Sequence, residues 1–297
     1  MSIEKVFLNI IAQAIEYKAS DLYIIPRRLE YLINCFVTDK IETLMVLDFP
    51  QGEQLIRHIK FQSQMNITET RRPQASRMVC QIGEAKYSCR VSCVGDFKGH
   101  ESVVVRLIYQ THQIAINWVN MNGLQQLKAH IQTRKSGLIL LSGKVGAGKT
   151  TTLYHAVQAT SEGKFVMTIE DPVEIDAPDF LQLQVNMGAN MTYGQLMKLA
   201  LRHHPEILII GEIRDRETAK AVVEAALSGH LILSTVHADS ATGVWHRMIE
   251  LGVENENLRY VLIGIGYQKL LSSVIPSQAI GDLVYHDASE VIRMIEK

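Results

Sequence analysis

The chain has no run of about twenty apolar residues, so nothing in it reads as a membrane-spanning helix; apolar stretches such as 260–267 fall well short. Its opening, Met1-Ser2-Ile3-Glu4-Lys5, has neither the charged nor the apolar region of a secretory leader. Charge of one sign is not in excess. Thirty Lys and Arg against 31 Asp and Glu leave a net charge of −1, which excludes a bulk electrostatic pull toward nucleic acid or anionic lipid and leaves room only for a local basic patch. Cysteine is scarce: Cys35, Cys80, Cys89 and Cys93 make no C-x-x-C pair. A zinc ribbon is therefore not expected, no zinc is expected as a cofactor, and the four thiols read as small core residues in a reduced, cytosolic setting. No internal repeat or low-complexity tract stands out. What remains is an ordinary globular composition, 47% hydrophobic and 21% charged over 297 residues, enough for about two domains.

Apolar residues at helical spacing (Ile3, Phe7, Ile10, Ile11, Ala14, Ile15) predict a helix over 1–18, broken by Ser20-Asp21. Strand-like runs follow at 22–25, 29–37 and 41–47, then a helix opened by Pro50 and running to Met65, then strands at 77–82, 86–94 and 102–108 with turns at 83–84 and 95–99. Residues 1–108 thus read as a smaller α+β domain with a mostly antiparallel sheet. Residues 109–120 carry no strong period and read as a linker. Residues 121–297 read as an α/β domain with a parallel-rich sheet: a helix from Leu124, a strand at 136–142, a helix at 151–160, strands at 165–169 and 180–185, a helix at 192–203, a strand at 207–210, a helix at 216–228, a strand at 231–236 and a helix at 241–251.

The segment Gly143-Lys144-Val145-Gly146-Ala147-Gly148-Lys149-Thr150 fits G-x-x-x-x-G-K-[ST] and sits between a buried strand and a helix, the context a P-loop requires. Gly143, Gly146 and Gly148 let backbone N–H groups turn inward around an anion, with Ala147 and Thr151 completing the loop and first helical turn. The helix N-terminus adds partial positive charge beneath the phosphates. Lys149 is placed to reach the β- and γ-phosphates and Thr150 to ligate Mg²⁺, so ATP and Mg²⁺ are the expected cofactors. The apolar strand 207–210 ends in Gly211-Glu212, and Glu212 is the candidate to polarise an attacking water; the plainer alternative is an ordinary acid at a strand end. Another strand ends in Ile169-Glu170-Asp171-Pro172-Val173-Glu174. Three acids there are costly without a cation, which points to Glu170 in catalysis and to Asp171 and Glu174 near the metal, through water. His230 and His237 flank strand 231–236 and are candidates to sense the phosphate; a lone histidine is more often structural. Arg90 and Arg106 alternate against apolar neighbours and are either solvated strand residues or donors to phosphate charge.

These motifs together resemble the secretion and pilus traffic ATPases. The P-loop with Thr151-Thr152-Leu153-Tyr154 resembles that family's Walker A, Ile169 to Glu174 its aspartate box, Leu201-Arg202, Pro205 and Ile209 to Asp215 its Walker B region, and Gly229-His230-Leu231 through Ser234-Thr235-Val236-His237 its histidine box. Upstream, Ala19-Ser20-Asp21-Leu22, Pro73-Gln74, Arg77, Arg90-Val91-Ser92 and Val105-Arg106-Leu107 resemble the opening and the arginine-bearing strands of its smaller domain, so the likeness covers nearly the whole chain. The resemblance implies a RecA-like ATPase domain preceded by a PAS-like α+β domain. It also implies that Arg77, Arg90 and Arg106 are carried to the nucleotide by domain closure. It further implies a homo-hexameric cytosolic motor, peripheral at the inner face of the cell membrane, that works on an integral-membrane platform protein and binds no nucleic acid directly. An N-terminal docking extension and a tetracysteine module after Gln268-Lys269-Leu270 are both missing, and the short form is most similar to the competence ATPases of Gram-positive bacteria, which power a DNA-uptake pseudopilus. His203-His204, Glu206 and Gly143-Lys144-Val145 depart from the family's usual residues without removing a phosphate- or water-handling group. Pilus retraction and type II secretion are the near alternatives. A nucleic-acid translocase lacks its expected basic, aromatic-bearing loop, and Glu212 with the arginines argues against a non-hydrolysing scaffold.

Overall fold

A computed structural model describes residues 2–37, 40–111, 116–119, 121–144, 146–271 and 279–296. They fall into two compact units, 2–111 and 116–271 with 279–296.

In the first unit the elements are α1 (Ile3–Glu16), β1 (Asp21–Arg27), β2 (Glu30–Val37), β3 (Lys40–Asp48), α2 (Phe49–Gln62), β4 (Gln74–Ile82), β5 (Ala85–Gly95) and β6 (Glu101–Gln110). Asp21, read as a helix breaker, opens β1. Helix α2 starts one residue before Pro50 because the Asp48 carboxylate accepts the Gln51 N–H at 2.8 Å and so caps it. The strands run in the order β3-β2-β1-β6-β5-β4, each antiparallel to its neighbours. Alternation decides the faces. Leu22, Ile24, Ile33, Cys35, Cys89, Val91, Cys93, Val103 and Val105 are buried, and α1 and α2 pack on the sheet through Phe7, Ile10, Ile11, Leu55, Ile56 and Ile59. Inside this core Lys60, with no exposed surface, donates to Glu101 Oε1 at 2.6 Å and to the Glu69 carbonyl at 2.8 Å.

The second unit contains β7 (Ile116–Trp118), α3 (Asn122–Thr133), β8 (Gly137–Ser142), α4 (Lys149–Gln158), β9 (Val166–Glu170), β10 (Ile175–Asp176), β11 (Leu181–Gln184), α5 (Tyr193–His203), β12 (Ile207–Ile210), α6 (Arg216–Leu227), β13 (Leu231–Val236), α7 (Ala241–Glu250), α8 (Asn255–Val261), β14 (Leu262–Leu271), β15 (Ala279–Asp287) and α9 (Ala288–Ile295). Its sheet has the order β11-β9-β12-β13-β8-β14-β15-β7. It is parallel throughout except where β14 meets β15. Both faces are covered: Leu138 and Leu140 of β8 enter one apolar cluster, Ile139 and Leu141 the other. Side-chain caps from Thr192, Asp215 and Ser240 start α5, α6 and α7.

Of the stretch read as a linker, Tyr109 and Gln110 finish β6, and 116–118 pair with β15 at the edge of the second sheet, where Val119 N–H donates to the Gly281 carbonyl at 3.0 Å. A three-residue strand is too short to show a period. Residues 112–115 and 120 lie outside the described residues, as does Val145 of the P-loop. Helix α4 begins at Lys149 rather than Thr151, directly on the left-handed Gly148.

Candidate nucleotide site

The order of the sheet decides where chemistry gathers. Strands β8, β9, β12 and β13 run the same way, so their carboxyl ends, which carry Ser142, Glu170, Ile210 and Val236, form one edge. Gly143 leaves β8 at φ +146°, and a Cβ on it would lie 2.3 Å from the Gln268 carbonyl oxygen, so only glycine passes there. Gly146 and Gly148 follow at φ +76° and +78°, and nothing stands within 4 Å of where a Gly146 Cβ would be. The N-terminus of α4 has no side-chain cap, so its first N–H groups are left to an anion. Lys149 is buried, and its Nζ donates to the carbonyls of Gly143 and Lys144, both at 3.0 Å. An ammonium has three protons, so one is left to a phosphate. Burial lowers the Lys149 pKa, and the carboxylates of Glu212 and Glu174 oppose that shift. This cradle fits the polyphosphate of a nucleotide. Thr150 lies in the first turn of α4, half-buried, with Asp171 and Glu174 exposed. No group of three or more His, Cys, Asp or Glu among the described residues is arranged to hold a metal ion. Mg²⁺ fits such a cradle as an ion brought in on the phosphates, where Thr150 would be the residue to hold it and Asp171 and Glu174 would act through water.

Glu212 follows β12 on a turn held by the β13 end: the Thr235 hydroxyl donates to the Gly211 carbonyl at 2.8 Å and the Ile213 N–H to the Thr235 carbonyl at 2.9 Å. One Glu212 oxygen pairs with the Arg214 guanidinium, and the other lies 3.4 Å from His237 Nε2. The fold thus joins Glu212 and His237, which are 25 positions apart in sequence. The hydrogen bond to Glu212 holds the Arg214 charge more firmly than usual. Tyr193 stands beside this group; its phenol pKa is raised by burial first and then by Asp171 and Glu212.

Glu170 ends β9 next to Gly211 and is buried. One oxygen accepts from Tyr154, from Thr168 at 2.7 Å and from Gln182 at 3.4 Å. Burial raises its pKa and the three donors offset that rise only in part, while their hydrogen bonds fix the carboxyl group in place.

His230 is a different matter. It precedes β13, at the end of the strand opposite His237, and its carbonyl accepts the Gly137 N–H at the foot of β8. Six strand residues, about 20 Å, separate it from the P-loop edge. Within this unit His230 therefore lies at the end of β13 away from the cradle.

In the first unit Arg77 pairs with Arg90, Arg90 with Arg106 and Arg106 with Asp21 in the strand registers, so the three arginines and one aspartate make a single rung across β4, β5, β6 and β1. The rung lies on the face away from Cys89, Val91 and Val105. Arg106 Nε donates to Asp21 Oδ1 at 2.7 Å. Like charges directly opposite repel, and the Asp21 carboxylate offsets that repulsion at one end of the rung. Sequence reasoning gave no role to Arg214, Tyr154, Gln182, Tyr193 or Gln268. Arg214 was legible as the second residue after Glu212; the others come from elements whose register sequence does not display.

A parallel sheet, a glycine cradle with its lysine after β8 and a glutamate after β12, one strand further across the same edge beyond β13, are the parts of a RecA-like P-loop ATPase. Residues 1–292 match the family model described as Type II/IV secretion system protein, and the chain belongs to that family. It is 41% identical over 269 residues to the competence protein ComGA of Streptococcus pneumoniae, covering 91% of this chain and 85% of that protein. To ComGA of Bacillus subtilis it is 35% identical over 280 residues, 93% of this chain and 78% of that one. Its fold is that of the Legionella pneumophila ATPase DotB, with a TM-score of 0.77 over 98% of this chain and 83% of DotB at 19% identity.

Proposed function

We propose that this chain is the motor ATPase that assembles a competence pseudopilus for DNA uptake, acting as a homo-hexamer on an integral-membrane platform protein at the inner face of the cell membrane. The likeness to ComGA over nine-tenths of the chain carries the competence reading. The meeting of Glu212 and His237 beside the lysine cradle carries the chemistry. The cradle amides and Lys149 bind the β- and γ-phosphates. Mg²⁺, when bound, supplies charge neutralisation on the phosphate oxygens. Glu212 orients water and accepts its proton; Arg214 and His237 hold its two oxygens in place. Glu170, fixed by Tyr154, Thr168 and Gln182, shapes the water's other side. The arginine rung offers positive charge that suits a phosphoryl group in transfer, and alternate approach and withdrawal of the two units would turn turnover into movement. No helix among the described residues is long and apolar enough to cross a membrane. The test is a strain lacking this chain: it should neither display the filament nor take up DNA, and a Glu212→Gln copy should not restore either. Filaments that persist but fail to withdraw would assign retraction instead; normal uptake with lost protein export would assign secretion.

A further inference from the structure

We propose that Gln268 is a positioning residue for phosphate binding: it pins the P-loop peptide between Ala147 and Gly148 so that the Gly148 N–H faces the nucleotide. The inference rests on the reading of that loop as a nucleotide cradle.

Strand β14 pairs with β8 so that Tyr267 is opposite Ser142, which sets Gln268 beside the point where the P-loop leaves the sheet. Gln268 has no exposed surface. Its Nε2 donates to the Ala147 carbonyl at 2.7 Å, and its Oε1 has no partner among the described residues. The orientation of the amide follows from chemistry, because a carbonyl oxygen only accepts and the NH₂ must face it. The 147–148 peptide is trans, with its C=O and N–H in opposite directions. Drawing the Ala147 carbonyl toward the sheet therefore turns the Gly148 N–H outward, to the side on which an anion approaches. That N–H makes no backbone hydrogen bond among the described residues. The fit is close on both sides of the contact: a Cβ on Gly148 would lie 3.1 Å from Gln268 Nε2, and one on Gly143 would lie 2.3 Å from the Gln268 carbonyl. An amide at this place is costly, since its buried oxygen is unsatisfied and a methionine would fill the same space without that cost. The hydrogen bond to the loop is what the glutamine adds.

Gln268→Met keeps the length of the side chain and removes the donor. For the full chain we expect dissociation constants for MgADP and for Mg-pyrophosphate about tenfold weaker than the parent's, a similar rise in KM for ATP, kcat within about threefold, and an unliganded Tm no lower than the parent's by more than a few degrees. A purely structural glutamine would lower Tm and kcat together and leave KM in place, which would overturn the proposal. Should the methionine variant fail to fold, Gln268→Leu also removes the donor in a buried apolar side chain; it should lose at least as much affinity, and parent-like affinity in it overturns the role of Gln268. Failure of the parent itself to bind MgADP is a separate result, and would overturn the nucleotide reading on which this one rests.

Discussion

The two sheets of this chain place their polar residues differently. In the antiparallel sheet of residues 2–111 one face is buried under α1 and α2, and polar residues alternate onto the other, so three arginines line up across three strands. In the parallel sheet both faces are buried, β8, β9, β12 and β13 are wholly apolar or hydrogen-bonded inside, and chemistry is pushed to the strand ends. An antiparallel sheet with helices on one face can carry a strip of charge on the other; a parallel sheet covered on both faces can present only an edge, where a glycine turn and the acids at strand ends gather.

The sharpest way to break that comparison is at the edge. Glu212→Gln should lower kcat by ~10²–10⁴-fold while MgATP binding persists, because the side chain keeps its size and loses only its capacity as a base. Lys149→Ala should instead weaken nucleotide binding itself. Steady-state hydrolysis with equilibrium binding on the same preparations separates the two, and near-parent turnover in Glu212→Gln would remove the edge from the chemistry. The strip comes next. Arg90→Ala and Arg106→Ala should each lower turnover by up to ~10³-fold with unchanged oligomers by size-exclusion chromatography. If both hydrolyse ATP at the parent rate, the rung is a surface feature and the second sheet acts alone.

Much of this was legible in the sequence, and what was missed has physical reasons. The P-loop, β12 and β13 were readable because an unbroken apolar run between glycines has few other outcomes. The arginines could be placed on strands, but their alignment depends on three strand registers, and register is settled by pairing across the chain rather than by local pattern. Gln268 was invisible as a site because β14 follows α8 within one apolar stretch, where periodicity does not separate helix from strand. His230 and His237 looked equivalent in sequence; only the direction of β13 puts one at the working edge and the other at its far end.

A smaller effect tests how the antiparallel unit tolerates charge inside its core. Lys60→Met leaves Glu101 without its partner and should cost about 3–5 kcal/mol, read as a lower Tm. Adding Glu101→Gln should recover much of that loss, since an apolar side chain beside a neutral amide carries no stranded charge. A double variant as unstable as the single one would mean that packing around α2, not the ion pair, sets the stability there.

The smallest expected effect is a dependence on pH in the same unit. His58 on α2 packs edge-on against Phe7 of α1, ring centroids 5.4 Å apart. Burial lowers its pKa below the usual 6.5, with the Glu4 carboxylate opposing in part. The folded state therefore binds the imidazole proton less readily than the unfolded chain does. Between the folded pKa and 6.5 the unfolded state holds more protons, so stability falls as pH drops through that window and is fully regained above 6.5. Calorimetric Tm values for the parent should thus decline between pH 7 and pH 5.5. His58→Gln, which removes the titrating ring, should start lower at pH 7 through the lost contact with Phe7 and decline less over the same interval. Equal declines in parent and variant would place the pH response elsewhere. His130 of the second unit, lowered by burial against Tyr285, would be the next residue to substitute.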